Sequence, residues 1–446
     1  LELPLNRNAE PFSVWSVFGR RKGRDLVVRR TALRSVALAA LVLSCVAVGP
    51  VGAQSLREAV LIGTRRDPSI ASLRQQVAAE TSNVEIAKDA RRPQFSLSGD
   101  TGYDDDDLGL NLTVTQLLAD WGLSKSEIAS AEARRVKVVA ELKSEVEDFT
   151  LSMAQLYFEL DMARLKIDRT VDYVAFANRL ERYSRERVGA GLANSSEVAR
   201  ARLEISRAEE ELYQLRSDRD IAAAEAEFLL GQKLANISAP PNLGFRERLQ
   251  SNSQVIGAVV GAPSYVAASA DVSIAQASVR AAKASRLPKL QLQATVRQDL
   301  TGGRSRSSSA GLSAGVDLTS SSFRGRAVIA ADQRLKAAQQ ALRAVERDLQ
   351  NDARTYRQKL EALSVSAASL KGQVADSKVV LQSFEEQFRI GRRDLLDLLS
   401  TGRDLYEAEI SEIDLNDEMK QTEYKAAHSV GLLGSLLLGA GHGKRG

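Results

Sequence analysis

Four consecutive aspartates, Asp104 to Asp107, are the densest set of potential metal ligands in this 446-residue sequence. A calcium loop spaces its oxygen ligands along the chain and turns sharply at a glycine. An unbroken run of carboxylates does neither, so it reads as an exposed acidic loop. His428 and His442 are the only histidines, and neither has a second ligand at zinc-binding spacing. Cys45 is the only cysteine, which leaves no pair for a disulfide. A catalytic site needs convergent nucleophile, base and electrophile groups, and no such set stands out. No cofactor, no metal and no enzymatic activity are expected. The formal charge of +4 is small for this length, and no basic stretch is interleaved with aromatics. Nucleic acid is therefore not an expected partner.

The polar residues with the most informative spacing lie in two matched segments. GLANSSEV begins at Gly191 and GRRDLLDL begins at Gly391. Gly191 matches Gly391, and Glu197 matches Asp397. A glycine adopts the left-handed conformation that ends a helix. An acidic residue six positions later then falls in the first turn of the next helix, where the helix dipole favours negative charge.

The elements that carry these turns are long. Leu335, Leu342, Leu349, Tyr356, Leu363 and Leu370 recur every seventh residue, with Ala331, Ala338 and Val345 between them. Val139, Val146, Met153 and Leu160 form a similar series, beside Leu142, Phe149 and Leu156. Such seams pack helices side by side over many turns. No proline interrupts 94–239 or 289–446, as uninterrupted helices require. Hydrophobic residues make up 44% of the chain but aromatics only 5%, so Ala, Leu and Val must build the core.

Pro93 and Pro288 each end a charged helical run and open an alternating one. Phe95, Leu97, Gly99, Thr101 and Tyr103 share one face of the first strand, and Leu108, Leu110, Leu112 and Val114 share one face of the second. Leu290, Leu292, Ala294 and Val296, then Leu312, Ala314, Val316 and Leu318, repeat the pattern. Each hairpin has strands of about 10 residues, enough to cross a bilayer when tilted. The residues alone fit two small soluble hairpins capping a bundle equally well. If the strands enter a membrane, four of them cannot close a barrel, so the chain must oligomerise.

Two halves therefore follow one order: helix, proline, strand, polar loop, strand, long helix, turn, long helix. The expected divisions are 54–236, with a β-hairpin at 93–118 and a helical hairpin at 124–230, and 263–440, with a β-hairpin at 289–319 and a helical hairpin at 324–433. Residues 237–262 read as a linker and 441–446 as a flexible tail. Residues 1–53 read as a leader and signal peptide: basic RRTALR at 29–34, apolar 36–48, and small residues before cleavage after Ala53. A short membrane anchor and a lipoprotein cut before Cys45 are the competing readings, and bulky Leu43 disfavours the second.

The whole pattern resembles the TolC family of outer-membrane channel proteins over about residues 55–439. The resemblance rests on SLREAVLIGTRRDPSI at 55–70, on the helix–strand steps at Pro93 and Pro288, and on FRIGRRDLLDLL at 388–399. That last stretch is similar to the family's aromatic-x-V-G-x-R-x-x-x-D-V-L turn. The resemblance implies a mainly α fold with a membrane β-barrel. In a homotrimer, four strands per chain would form a 12-stranded barrel, continued by a periplasmic tunnel of long helices. It implies residence in the outer membrane of a Gram-negative bacterium, in contact with lipid and lipopolysaccharide. Implied partners are a periplasmic adaptor protein and an inner-membrane ABC or proton-driven transporter. Pro93 and Pro288 would mark the membrane–periplasm junction. At the periplasmic mouth it implies a tether between Arg393 and Glu197, one methylene longer than the family's aspartate version. Phe388 takes the place of an aromatic partner but lacks its hydroxyl. Asp397 keeps the first of two acidic rings, and Ser400 replaces the second, which weakens the case for a strong cation preference. The implied function is a passive exit duct. Type I protein secretion is the leading expectation, small-molecule efflux the alternative, and a soluble periplasmic coiled-coil adaptor the remote one.

Overall fold

The structure, a computed structural model, describes residues 55–101, 108–234, 237–248, 252–300, 306–316 and 325–439. The leader, Tyr103, the run Asp104 to Asp107, Leu318, His442 and the tail 441–446 lie outside the described residues.

Helix α1 (Leu56–Arg66) begins at a reciprocal cap in which Ser55 and Glu58 each accept the other's backbone N–H. Asp67 caps α2 (Pro68–Asp89) by accepting from Ile70 N at 2.9 Å, with Pro68 in the first turn. Strands β1 (Gln94–Thr101) and β2 (Leu108–Ala119) follow. Then come α3 (Leu123–Gly189) and α4 (Ser195–Leu230). The second half supplies α5 (Phe245–Arg248), α6 (Asn252–Gly261), α7 (Pro263–Ala284), β3 (Lys289–Asp299) and β4 (Arg306–Gly315). Helices α8 (Arg326–Arg389), α9 (Leu395–Ser429) and α10 (Leu433–Gly439) complete it. At 67 residues, α3 is about 100 Å long.

The strands form one antiparallel sheet in the order β1-β2-β3-β4. Its register joins the two hairpins face to face. Leu97 lies opposite Leu112, Leu112 opposite Val296, and Leu292 opposite Leu312. Directly paired residues point to the same side of a sheet, so the alternating apolar positions of all four strands merge into one surface. Phe95 is 73% exposed and Leu97 72%, so this surface packs against nothing in its own chain. The other face is polar: Thr113 and Thr295 approach at 3.2 Å between hydroxyls. The sheet is not the cap of a bundle.

Below the sheet, α2, α3, α7 and α8 stand side by side, and farther down α4, α3, α9 and α8 do so. The heptad series of α8 lies in the packed seam, with Leu349 and Leu363 buried. In α3, Met153, Leu156 and Leu160 are buried, but Val139 is 47% exposed. Near the sheet the small residues Ala131, Ala133 and Ala140 are buried instead, so helix backbones approach closely and the valine turns outward.

Within the segment expected to be a linker, 237–262, the described residues 237–248 and 252–262 form a strap that carries α5 and α6. Phe245, Val259 and Ala262 are buried in a cluster with Leu56, Tyr157 and Tyr424. Phe245 N donates to the Glu423 carboxylate, and Tyr424 Oη donates to Pro241 O at 2.7 Å. Helix α10 was not anticipated either. It folds back so that Gly434 N donates to the buried Glu147 carboxylate at 3.1 Å. His428, on α9, meets Asp148 at 2.6 Å. Among the described residues, no helix is long and apolar enough to cross a membrane.

Candidate functional site: the turns of the helical hairpins

The two turns have the same backbone. Helix α3 stops at Gly191 (φ 73°) and α8 at Gly391 (φ 75°), a conformation that side chains disfavour. In each, the next residue closes the helix by donating back across it: Leu192 N to Arg187 O at 2.9 Å, and Arg392 N to Gln387 O at 2.8 Å. Asn194 then caps α4 and Asp394 caps α9. Glu197 and Asp397 fall in the first turns that follow, as their spacing predicts.

The side chains depart from expectation. Among the described residues no hydrogen bond or ion pair joins Arg393 to Glu197. Arg393 instead stays on its own hairpin. It meets Asp397 at 3.1 Å and Gln387 Oε1 at 3.1 Å, and its guanidinium lies 4.0 Å from the Phe384 ring centre. An acceptor one helical turn away and an adjacent aromatic face satisfy the guanidinium without crossing to the other turn. Oε2 of Glu197 is buried with no hydrogen-bond partner. Ser400 donates its hydroxyl to Asp397 O at 3.0 Å, inside the helix.

The two hairpins are joined by different residues. Phe388, 2% exposed, carries the Arg187 guanidinium 4.7 Å above its ring. Reciprocally, Arg389 reaches Tyr183, at 3.4 Å to its hydroxyl and 5.7 Å to its ring centre. Each contact joins α3 to α8. Within the first hairpin, Glu181 accepts from Arg185 at 2.5 Å and from Arg202 at 3.1 Å, and these bonds hold its carboxyl below the usual range.

One step farther from the turns lies a polar layer across three helices. Tyr173 donates to Glu204 at 2.7 Å, and Arg403 pairs with Glu204 at 3.2 Å. Tyr406 stacks on Tyr173 at 4.6 Å and meets Thr170 at 2.8 Å. Burial raises the pKa of both phenols, so both stay protonated. Gly402 lets α9 close on α3: a Cβ there would fall 2.2 Å from the Phe176 ring. The contact between Arg187 and Phe388 joins residues of different repeats and follows from no spacing within either one. Its one legible hint is the basic last turn of both α3 and α8, where a cation suits the helix dipole.

At the opposite end of the helices, Pro93 and Pro288 stand directly before β1 and β3. Beside them Trp121 adopts φ 57° and donates its indole N–H to Pro288 O at 2.7 Å. Before the start of α3, Asp120 accepts from Gly122 N at 3.0 Å and Ser124 N at 2.6 Å.

A short, one-sidedly apolar sheet with two open edges, continued by very long paired helices and two glycine-ended turns, defines the class of TolC-like outer-membrane ducts. The family described as Outer membrane efflux protein matches residues 64–232 and 258–431, once on each repeat and well over half of the chain. The chain belongs to this family, and its place is the outer membrane, with its helices extending into the periplasm. It is similar to the outer membrane efflux protein BepC of Brucella suis biovar 1 (strain 1330), 24% identical over 425 residues, covering 91% of each chain. Its fold is shared with VceC of Vibrio cholerae (TM-score 0.74, 16% identity, 84% of this chain and 96% of that one). It is also shared with the open state of the MtrE channel of Neisseria gonorrhoeae (TM-score 0.65, 16% identity, 85% of this chain and 89% of that one).

Proposed function

We propose that the chain is the outer-membrane exit duct of a tripartite assembly that expels small molecules. The carrying observation is the sheet: one continuous apolar face for lipid, one polar face for a lumen, and free edges at β1 and β4. Edges in lipid must be paired, and three copies supply the 12 strands of a closed barrel. A periplasmic adaptor and an inner-membrane transporter would supply contact and energy. The name of the relative from Brucella suis, an efflux protein, moves the reading from protein secretion to efflux. The hairpin turns would narrow the periplasmic mouth, held by Arg187 on Phe388 and Arg389 on Tyr183. Deleting the gene should raise intracellular retention of a fluorescent efflux substrate and sensitivity to apolar toxic compounds. Unchanged retention, with loss of one large protein from the medium, would return the reading to type I secretion.

A further inference from the structure

The junction between sheet and helices carries a groove of about 540 Å³ that the duct itself does not use. Trp121, Lys125, Arg280, Lys283, Ala284 and Leu287 line it, between the start of α3 and the end of α7. Trp121 is 59% exposed and Leu287 45%. Lys125, Arg280 and Lys283 are all exposed. None of the three makes an ion pair or side-chain hydrogen bond among the described residues, and no carboxylate lines the groove.

The side of the wall on which it opens can be read from its neighbours. Glu127 lines a hollow with Gln94, Thr115 and Gln291, which belong to the polar face of the sheet. Glu127 also lines the next hollow down, between α2, α3 and α7. That side of the helix wall therefore continues the lumenal face. The basic groove occupies the other side of the same α3–α7 pair and continues the apolar face. Because α3 and α7 are the two middle helices of the chain, contacts between copies at the flanks leave the groove open.

We propose that this groove binds the headgroup of an anionic glycerophospholipid in the leaflet that faces the periplasm. The inference rests on the assignment of the apolar sheet face to lipid. Acyl chains would lie along Leu292 and Leu312, and the phosphate would sit at the level where the strands end. A guanidinium and two ammonium groups without acidic partners match a phosphodiester in charge and donor geometry. An indole fixed by its N–H and exposed by its ring is the side chain that suits the membrane interface. Lipopolysaccharide does not reach the groove, which lies at the helix end of the strands, away from the outer loops.

The test uses the assembled protein in nanodiscs of phosphatidylethanolamine with phosphatidylglycerol, followed by native mass spectrometry of retained lipid. The wild type should retain phosphatidylglycerol preferentially, one molecule per chain. Lys125→Gln, Arg280→Gln and Lys283→Gln together should lower that enrichment about fivefold or more, given the attraction of each cation to an anionic surface. Removing three other exposed cations, with Arg343→Gln, Arg354→Gln and Lys371→Gln, should leave it intact. Both triple variants should conduct like the wild type in a planar bilayer, so loss of lipid retention with a working channel separates this site from the duct reading. Equal enrichment in the groove variant and the wild type would overturn the proposal. A photoreactive phosphatidylglycerol on the wild-type protein gives a second measurement without any variant. Cross-links at 121–125 and 280–287 are expected. Cross-links elsewhere, equal labelling by a zwitterionic analogue, or shielding of the groove by a periplasmic protein would also overturn it.

Discussion

At the residue scale the hairpin turns separate what spacing reveals from what it hides. Gly191, Gly391, Glu197 and Asp397 sit where their matched spacing predicts, because helix stops and first turns are local features. The expected partner of Arg393, Glu197, lies on the other hairpin, and the structure gives Arg393 the local Asp397 instead. Arg393→Ser and Glu197→Gln should therefore act additively on single-channel conductance, as residues that share no bond do. Arg393→Ser and Asp397→Asn should not be additive, although the exposed i,i+4 pair is worth only about 0.3–0.5 kcal/mol. Arg187→Gln removes a cation–π contact worth about 0.5–2 kcal/mol. It should raise resting conductance more than Arg393→Ser does, and equal conductances in a planar bilayer would remove Arg187 from the mouth's closure. A pH effect follows from Asp417. Burial raises its pKa, and Asp414 and Asp161 add to the rise against the bond from Gln421. The folded chain then takes up this proton before the unfolded chain does. Its contribution to stability grows as pH falls from neutral through the raised value, and levels off once the unfolded carboxyl is protonated too. Asp417→Asn should flatten that part of the curve of thermal midpoint against pH. Glu181 has the opposite sign, because its lowered value means a contribution present above the ordinary carboxylate range and lost as acid reaches its folded-state value.

At the scale of elements, period two and period seven were enough to locate the strands and the long helices. Alternation fixes which residues share a face, and the register brings three alternating sets together from Leu97 through Leu112 to Val296, with the fourth strand joining at Leu292 and Leu312. What the pattern could not show is how apolar but irregular segments behave. The strap residues Phe245, Val259 and Ala262 and helix α10 belong to no long period, so their burial depends on a cavity that only the folded waist provides. Val139 fits the heptad series yet lies outside, because alanines take over the seam near the sheet. The face assignment can be checked with neighbours in one strand. Leu112→Arg places a cation on the apolar face and should cost about 2–4 kcal/mol if it lies near the membrane midplane. Thr113→Arg places the same cation on the polar face and should assemble normally. Yields of heat-labile oligomer in outer-membrane fractions measure both, and equal yields would reverse or void the assignment.

At the scale of the whole molecule the sheet and long helices of the described residues present two unlike flanks. One carries the free edge of β1 with α2 and α4, and the other carries the free edge of β4 with α8. Both flanks are also apolar along their helices. On α4, Tyr213 is 75% exposed, Ile221 63% and Phe228 83%. On α8, Ile329 is 57% exposed, Val365 68% and Val379 69%. Unlike flanks that join head to tail form a ring when the rotation closes, and closure pairs the strand edges and covers both stripes in one step. Phe228→Asp should therefore weaken every interface of the ring. The lost apolar burial is about 1.5–3 kcal/mol per contact, with a carboxylate's desolvation added. Val365→Asp on the other flank should act in the same direction. Neither residue belongs to the buried clusters of its own chain, so the helical content of a single chain should survive. Native mass measurement after gentle detergent extraction should find trimer for the wild type and a shift to monomer for each variant. Trimer at wild-type abundance in both would mean that these stripes meet something other than a second copy of the chain.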